Sequence, residues 1–351
     1  MTTRYEKSLS KLQQTFEWSL MQDISSAREF LLSDKNLPRV FLASGGSLSA
    51  AYFAAELSLE AGCPAVAMTP YQFIFGPWSK IPSKILLISS SGRNVDIVNA
   101  LKTSLETKAS HIAAITLKNN NHLQTIMHGQ KYGKCFSFHL AASDGFIATN
   151  SILAFYALFI RIYKDIDLHL DIPQCQVEAR EFVNTLMHKA YNLPTNDMDD
   201  YNAAIYKACE TDCFYVLYSP ETRPIAIDLE SRFVEGAVGC IICSDYRNFA
   251  HGRFNWFQQR KGQSCIIALS TPGSVEFTDS IISELPPDIP VLELSTTMKD
   301  SFGSIDLLVK GMYVTKYLSD RWGLDIGAPK VEEFGTAIFK KCFALPENHE
   351  N

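Results

Sequence analysis

The sequence predicts an α/β protein with two doubly wound parallel-sheet domains in tandem, preceded by an N-terminal helix. Three observations predict this. Short apolar runs alternate with helical segments along most of the chain, the pattern of parallel strands covered on both faces. The alternation occurs twice, on either side of a more polar stretch, as in an internal duplication. A chain of 351 residues, 46% hydrophobic and 20% charged, suits two domains of ordinary size with a substantial core.

Tyr5 to Ser33 reads as mostly helical, because Leu9, Leu12, Phe16, Leu20 and Ile24 recur at intervals of three and four. The first strand is Val40-Phe41-Leu42-Ala43, which breaks into Ser44-Gly45-Gly46-Ser47 and an Ala-rich helix. Gly62 ends that helix, Pro64 prevents its continuation, and Ala65 to Met68 is a second strand. Tyr71 to Trp78 is aromatic and is read as core packing rather than a lid. The opening design then returns: strand Ile85 to Ile88, turn Ser89-Ser90-Ser91-Gly92, helix Arg93 to Leu101. Ile112 to Leu117 and Cys135 to Leu140 are further strands, and Thr149 to about Tyr163 is a long helix. Asn119-Asn120-Asn121-His122 reads as a polar turn.

Lys164 to Asp200 is more polar and is read as the connection between domains, with a helical piece over Val177 to Tyr191. Cys213 to Tyr218 begins the second unit, followed by a turn at Ser219-Pro220 and a helix from about Pro224. Gly239 to Ile242, Ser264 to Leu269 and Val291 to Leu294 are its other strands, and Ser301 to Trp322 is a long helix. This unit is expected to repeat the first without its serine turns. The expected division is an N-terminal helical segment over 1–36, a first domain over 37–165, a linker helix over 166–200 and a second domain with the tail over 201–351.

The two serine turns carry the first chemical signal. Small residues let a backbone approach a ligand closely, and the first N–H groups of the following helix lack internal partners. With the helix dipole they form an anion site, to which serine hydroxyls add donors. Two such turns in one α/β unit point to a pocket for a phosphate joined to a small polyol; the same residues also serve simply as helix caps. In such sheets the ligand sits beyond the carboxyl ends of the strands, where both turns fall.

The second signal lies on the helix after Pro224. It carries Glu230, Arg232 and Glu235, and His251 follows within Phe249-Ala250-His251-Gly252-Arg253. A carboxylate and an imidazole brought together move protons at neutral pH.

These residues resemble the sugar isomerase (SIS) family over about Arg39 to Thr336. The pattern is that of the isomerase half of glucosamine-6-phosphate synthase and of fructosamine-phosphate deglycases. Gly45-Gly46-Ser47 stands for the family's Gly-Thr-Ser turn, and Ser89-Ser90-Ser91-Gly92-Arg93-Asn94 for its Ser-Gln-Ser-Gly-Glu-Thr turn. Pro224-Ile225-Ala226-Ile227-Asp228, Arg232 to Glu235 and Ala250-His251-Gly252-Arg253 stand for Pro-Ile-Ala-Leu-Glu, Lys-x-x-Glu and Lys-His-Gly-Pro.

The resemblance implies two SIS-type domains in which Ser47, Ser89, Ser90, Ser91 and Asn94 hold a substrate phosphate. It implies Glu235 as the base that shuttles a proton between sugar carbons. His251 would assist ring opening from the neighbouring subunit of a homodimer, and Arg232 would share the catalytic site. The implied enzyme is an isomerase or deglycase of a phosphorylated amino sugar or fructosamine, without cofactor or metal. The alternative is a module that binds a sugar phosphate or nucleotide sugar without turnover.

Three departures stand out. Arg232 replaces a lysine, and arginine stays protonated. The family's C-terminal lysine has no clear equivalent among Lys330, Lys340 and Lys341. The chain opens Met1-Thr2-Thr3 without a cysteine nucleophile, so no glutaminase activity is expected. Arg93, Arg232 and Arg253, at positions held by Glu, Lys and Pro, could meet a second phosphate or a carboxylate.

Other classes find little support. A net charge of -6 without a Lys/Arg cluster argues against nucleic acid. Met1 to Lys11 is polar, unlike a signal peptide, and the apolar run Ile152 to Ile160 is too short to span a bilayer. Nine cysteines without regular spacing suit a reducing, cytoplasmic setting. Cys240-x-x-Cys243 has a redox or zinc spacing but no second pair to complete four ligands.

Overall fold

The computed structural model describes residues 2–107, 109, 111–164, 169–189, 213–260, 264–286, 289 and 291–341. Of the expected linker over 166–200, residues 166–168 and 190–200 lie outside the described residues, as does the tail beyond 341. The N-terminal segment is three short helices, α1 (Arg4–Leu9), α2 (Leu12–Leu20) and α3 (Ser25–Leu32), rather than one. Asp23 sets the second break: its carboxylate accepts the Ser25 N–H at 3.0 Å, which starts a new helix.

The chain forms two compact units. The first-sheet unit gathers the described residues of Gln14–Ser143, Asn150–Leu168 and Lys330–Asn351. The second-sheet unit gathers those of Met1–Gln13, Asp144–Thr149 and His169–Pro329. The two units interleave along the chain.

The first sheet contains β1 (Arg39–Leu42), β2 (Ala65–Met68), β3 (Lys84–Ser89), β4 (His111–Thr116) and β5 (Gly133–Ser137). All pair in parallel, in the order β2-β1-β3-β4-β5. Every residue of β1 and β3 is buried, as near-continuous apolar runs in a covered sheet require. Helices α4 (Leu48–Glu60), α5 (Pro70–Phe75), α6 (Val95–Glu106), α7 (His122–Met127) and α8 (Asn150–Tyr163) complete the unit. Leu42, Leu87 and Ala114 pack with Phe73, Ile97, Leu101 and Leu123. On α8 every residue but Arg161 is buried, which makes the longest apolar run a core helix. Tyr156 stacks on Phe53 at 4.1 Å and Phe159 meets Phe41 edge-on at 6.4 Å. Burial of each such ring contributes about 1.5–3 kcal/mol.

The second sheet contains β6 (Cys213–Tyr218), β7 (Cys240–Asp245), β8 (Ser264–Ser270) and β9 (Val291–Ser295), all parallel, in the order β7-β6-β8-β9. Ahead of it comes α9 (Ile172–Lys189), and around it lie α10 (Arg223–Glu235), α11 (Asn255–Arg260), α12 (Val275–Ile282) and α13 (Asp300–Arg321). Helix α9, expected as a linker, is fastened to this unit. Cys175 Sγ donates to Asp306 at 3.0 Å, and the buried Lys310 ammonium pairs with Glu178 and with Asp306 at 2.8 Å. Helix α14 (Glu333–Phe339) follows as a short exposed segment.

Both sheets share the winding that places a switch point beside the first strand, between β1 and β3 and between β6 and β8. Ligands of open α/β sheets bind beyond the carboxyl ends of the strands at such a point.

Candidate functional site

The turns that follow β1 and β3 flank the first switch point. Leu42 and Leu87 are register partners, so both turns leave neighbouring strands at the same edge. Gly45, at φ +55°, opens the 3₁₀ turn Gly45–Ser47 that leads into α4. Ser47 is half-buried there. The structure thus brings Ser47 to the same sheet edge as Ser89, Ser90 and Ser91.

The second turn is built in detail. Ser89 is buried, and its hydroxyl accepts the Gly92 N–H at 3.1 Å. The Ser90 carbonyl accepts the Leu117 N–H, also at 3.1 Å, which ties the turn to the end of β4. Ser91 is exposed and its hydroxyl accepts the Arg93 N–H at 3.2 Å. Asn94 caps α6: its side-chain oxygen accepts Asp96 N–H at 3.0 Å and Ile97 N–H at 3.1 Å. Asn94 therefore spends its acceptor on its own helix. Among the described residues, the N–H groups of Ser91, Asn94 and Val95 have no protein acceptor, which leaves donors at a helix N-terminus.

Sequence reasoning read Asn121 only as part of a polar turn. It is the buttress of the serine turn. Its side-chain amide donates to Thr116 Oγ1 at 2.9 Å, to the Lys118 carbonyl at 2.8 Å and to Ser137 Oγ at 3.2 Å. Gly92, at φ +63°, lies so close that a Cβ there would sit 2.4 Å from Asn121 Oδ1. The signal was present in the spacing Asn121-x-x-Gln124, a helix-start pattern: the Gln124 N–H donates to Asn121 Oδ1 at 3.0 Å.

In the second-sheet unit, Arg232 is 2% exposed and lies inside the fold. It makes a two-pronged pair with Asp228 through Nε and, at 3.1 Å, Nη2, and its Nη1 donates to the Tyr5 hydroxyl at 3.4 Å. Tyr5 in turn donates to the Met312 carbonyl at 3.1 Å. Burial works against the Arg232 charge, but Asp228 and Tyr5 outweigh it and hold its pKa above the ordinary value. Burial pushes the Tyr5 hydroxyl up to about 12. Arg232 is thus the centre of a buried polar network, its donors turned to Asp228 and Tyr5.

Glu235 is exposed at the end of α10 and accepts the Ser231 hydroxyl at 2.6 Å. Glu230, on the same helix, is raised above the usual carboxylate range by burial and then by the charge of Glu235. His251 is exposed in a kink where Gly252 takes φ +98°. Within one chain Glu235 and His251 are apart. Glu235 precedes β7 and His251 follows it, so they lie at opposite edges of the sheet, about 20 Å of strand between them.

The turn after β8, Ser270-Thr271-Pro272-Gly273-Ser274, corresponds in position to the serine turn after β3, contrary to the expectation that this unit lacks one. It closes on itself. Thr271 N–H donates to Ser274 Oγ at 3.1 Å, Gly273 N–H to Thr271 Oγ1 at 3.2 Å, and Val275 N–H to the Thr271 carbonyl at 3.0 Å. The Thr271 hydroxyl donates to the Glu221 carboxylate at 2.9 Å. Among the described residues no three His, Cys, Asp or Glu side chains gather as a metal site, and no helix is long and apolar enough to cross a membrane.

No protein-family model and no curated protein matches the sequence. Solved structures do. Tagatose-6-phosphate ketose/aldose isomerase from Escherichia coli is similar with a TM-score of 0.69 and 14% identity, over 94% of this chain and 96% of that one. The C-terminal domain of glucosamine-fructose-6-phosphate aminotransferase from Francisella tularensis gives 0.67 and 14%, over 94% and 98%. Glucosamine-6-phosphate deaminase from Thermotoga maritima gives 0.67 and 13%, over 94% and 98%. Two parallel sheets of like winding and this likeness over nearly the whole chain agree: the protein has the tandem sugar-isomerase-domain (SIS) fold.

Proposed function

We propose that this protein is a phosphosugar isomerase or deglycase that acts on a phosphorylated amino sugar or fructosamine. The observation that carries the reading is the Ser89–Asn94 turn. It presents backbone N–H groups and the Ser91 hydroxyl at the head of α6, beside the switch point of the first sheet. Ser47 adds a hydroxyl from the neighbouring turn. The sugar phosphate is held there as a dianion, with Ser89 and Asn121 fixing the turn rather than touching the ligand.

In the proposed reaction Glu235 takes a proton from the carbon beside the carbonyl while water gives one to the carbonyl oxygen, and an enediol or enolamine forms. Glu235 then returns its proton to the former carbonyl carbon as the neighbouring hydroxyl or amine gives one up to water, which completes the isomerisation. His251, at the opposite sheet edge within its own chain, serves the site of a second copy in a homodimer. Arg232 acts at a distance in this scheme, by fixing α10, which carries Glu235. That the solved structures of similar fold include an aldose–ketose isomerase and a glucosamine-6-phosphate deaminase supports this class of substrate.

The burial of Arg232 favours a second reading, a protein that binds a sugar phosphate without turning it over. One experiment separates the two. The chain is titrated with fructose 6-phosphate, glucosamine 6-phosphate and the parent sugars by calorimetry, and turnover of any phosphate that binds is followed for wild type and Glu235→Gln. Binding of a phosphate but not of its parent sugar, with turnover about a hundredfold slower in Glu235→Gln, is expected. Binding without turnover establishes the second reading, and equal turnover by the variant removes Glu235 from the mechanism.

A further inference from the structure

The Cys240-x-x-Cys243 spacing suggests a pair in sequence, but the fold separates it and supplies a different partner. Residues three apart on a strand point to opposite faces. Cys243 faces α10, where its thiol donates to the Ala226 carbonyl at 3.4 Å. Burial, then the charge of Glu230, pushes that thiol up to about 12, so it is inert at neutral pH. Cys240 lies on the other face and is exposed.

The residue beside Cys240 is Cys213. The two are register partners at the start of the parallel strands β7 and β6. Alternation puts both on the face of Tyr215 and Ile242, which pack with Phe249 and Phe257. Cys213 is half-buried, and its other register partner is Ser264, whose hydroxyl accepts the Trp256 indole N–H at 2.9 Å. Neighbouring strands lie about 4.8 Å apart, and a disulfide spans Cα atoms about 4.4–6.8 Å apart. Two thiols on one face of the sheet, level with each other and with one open to solvent, are placed for a cross-strand bond. The strands need only approach slightly and the side chains turn about χ1.

The geometry points to an oxidative modification site at Cys213 and Cys240, closed by a low-molecular-weight disulfide such as oxidised glutathione. The Cys240 thiolate attacks one sulfur of the oxidant, forms a mixed disulfide and expels one glutathione thiolate. The Cys213 thiolate then attacks the Cys240 sulfur and expels the second. The protein loses two protons and two electrons, and one disulfide becomes two thiols. The bond fastens the first residue of β7, which follows Glu235 through a turn closed by the Val238 N–H on the Phe233 carbonyl at 2.8 Å. Exposure at Cys240 makes the bond open to reduction by a dithiol.

The test treats the full chain with oxidised glutathione, blocks remaining thiols with N-ethylmaleimide under denaturing conditions and maps the peptides by mass. Of nine cysteines, two are expected to escape alkylation, in one cross-linked peptide pair containing Cys213 and Cys240, and dithiothreitol restores both. Cys243→Ser leaves the cross-link unchanged. Cys213→Ser halts at a single glutathione adduct on Cys240. A cross-link between Cys240 and Cys243, a stable glutathione adduct on wild-type Cys240, or nine alkylated cysteines after oxidation overturns the assignment.

Discussion

The turns after β3 and β8 hold the same place in two sheets of the same winding, yet they do opposite things with their polar groups. In Ser89–Asn94 the serine hydroxyls accept N–H groups of the turn while those of Ser91, Asn94 and Val95 are left for another acceptor. In Ser270–Ser274 the N–H groups of Thr271, Gly273 and Val275 are all taken up locally, and the hydroxyl of Thr271 already serves a carboxylate. The first turn leaves backbone donors open at the head of α6. The other is completed by Glu221. Duplicated architecture is therefore no guide to duplicated chemistry; the hydrogen-bond ledger of each turn is.

The two units also bury their arginines differently. Arg39 is 1% exposed and gives its donors to carbonyls of Leu31, Ser33, Asp34, Lys35 and Leu37 at the end of α3. Lys84, its register partner, donates to the Phe30 carbonyl of the same helix end at 2.8 Å. Cations at a helix C-terminus answer its dipole. Arg232 instead faces one carboxylate. The largest effect expected of any single change follows from that difference. Arg232→Met leaves Asp228 buried and charged and should cost about 3–5 kcal/mol, read from the urea-unfolding midpoint. Adding Asp228→Leu should recover most of the loss. If the double variant is no more stable than the single one, the pair is not what holds this region.

Most of the fold was legible in the sequence because period and punctuation carry it. Fully apolar runs such as Ile85 to Ile88 mark strands covered on both sides, and Gly62 with Pro64 marks a helix end. Strand order was not legible, since it depends on which elements neighbour one another after folding. Nor was the docking of helices α1 and α9, which join the second-sheet unit through residues such as Tyr5, Cys175 and Glu178, whose partners lie far along the chain. At the site, the serine residues were legible as types. Their roles were not, because Ser89 and Asn94 serve the turn itself and the buttress, Asn121, comes from the cap of α7 after the neighbouring strand β4. The Arg232 to Glu235 spacing showed a shared helix face but gave no sign that Arg232 is enclosed by Asp228 and Tyr5.

A middle-sized effect distinguishes the two turns at their glycines. Gly92 takes φ +63° against Asn121, whereas a Cβ on Gly273 would meet Thr271 Oγ1 at an ordinary 3.6 Å. Gly92→Ala should therefore cost about 1–2 kcal/mol from the left-handed backbone alone, with the Asn121 clash added to it. Gly273→Ala should stay within about 0.5 kcal/mol. Asn121→Ala in the Gly92→Ala background should relieve the clash only in part, because Asn121 Cβ itself would lie 2.7 Å from the new Cβ, and it leaves the backbone cost in place. Equal losses at the two glycines would mean that the turns are built alike after all.

The smallest effect bears on function most directly. Ser91 is exposed, so its hydroxyl contributes little to folding, and its loss should appear in binding rather than in stability. One hydrogen bond to a charged group is worth about 1.5–3 kcal/mol, so Ser91→Ala should weaken binding of a sugar phosphate about tenfold or more. The parent sugar, lacking the anion, should be unaffected. Ser274→Ala in the second sheet should leave phosphate affinity unchanged, because its hydroxyl is occupied by the Thr271 N–H and faces a turn that Glu221 already fills. Titration of both variants with the same ligand decides the comparison. A loss at Ser91 alone assigns the anion to the first sheet; equal losses would show that the second turn opens to ligand despite Glu221, and no loss at either would leave the serines of both turns as caps.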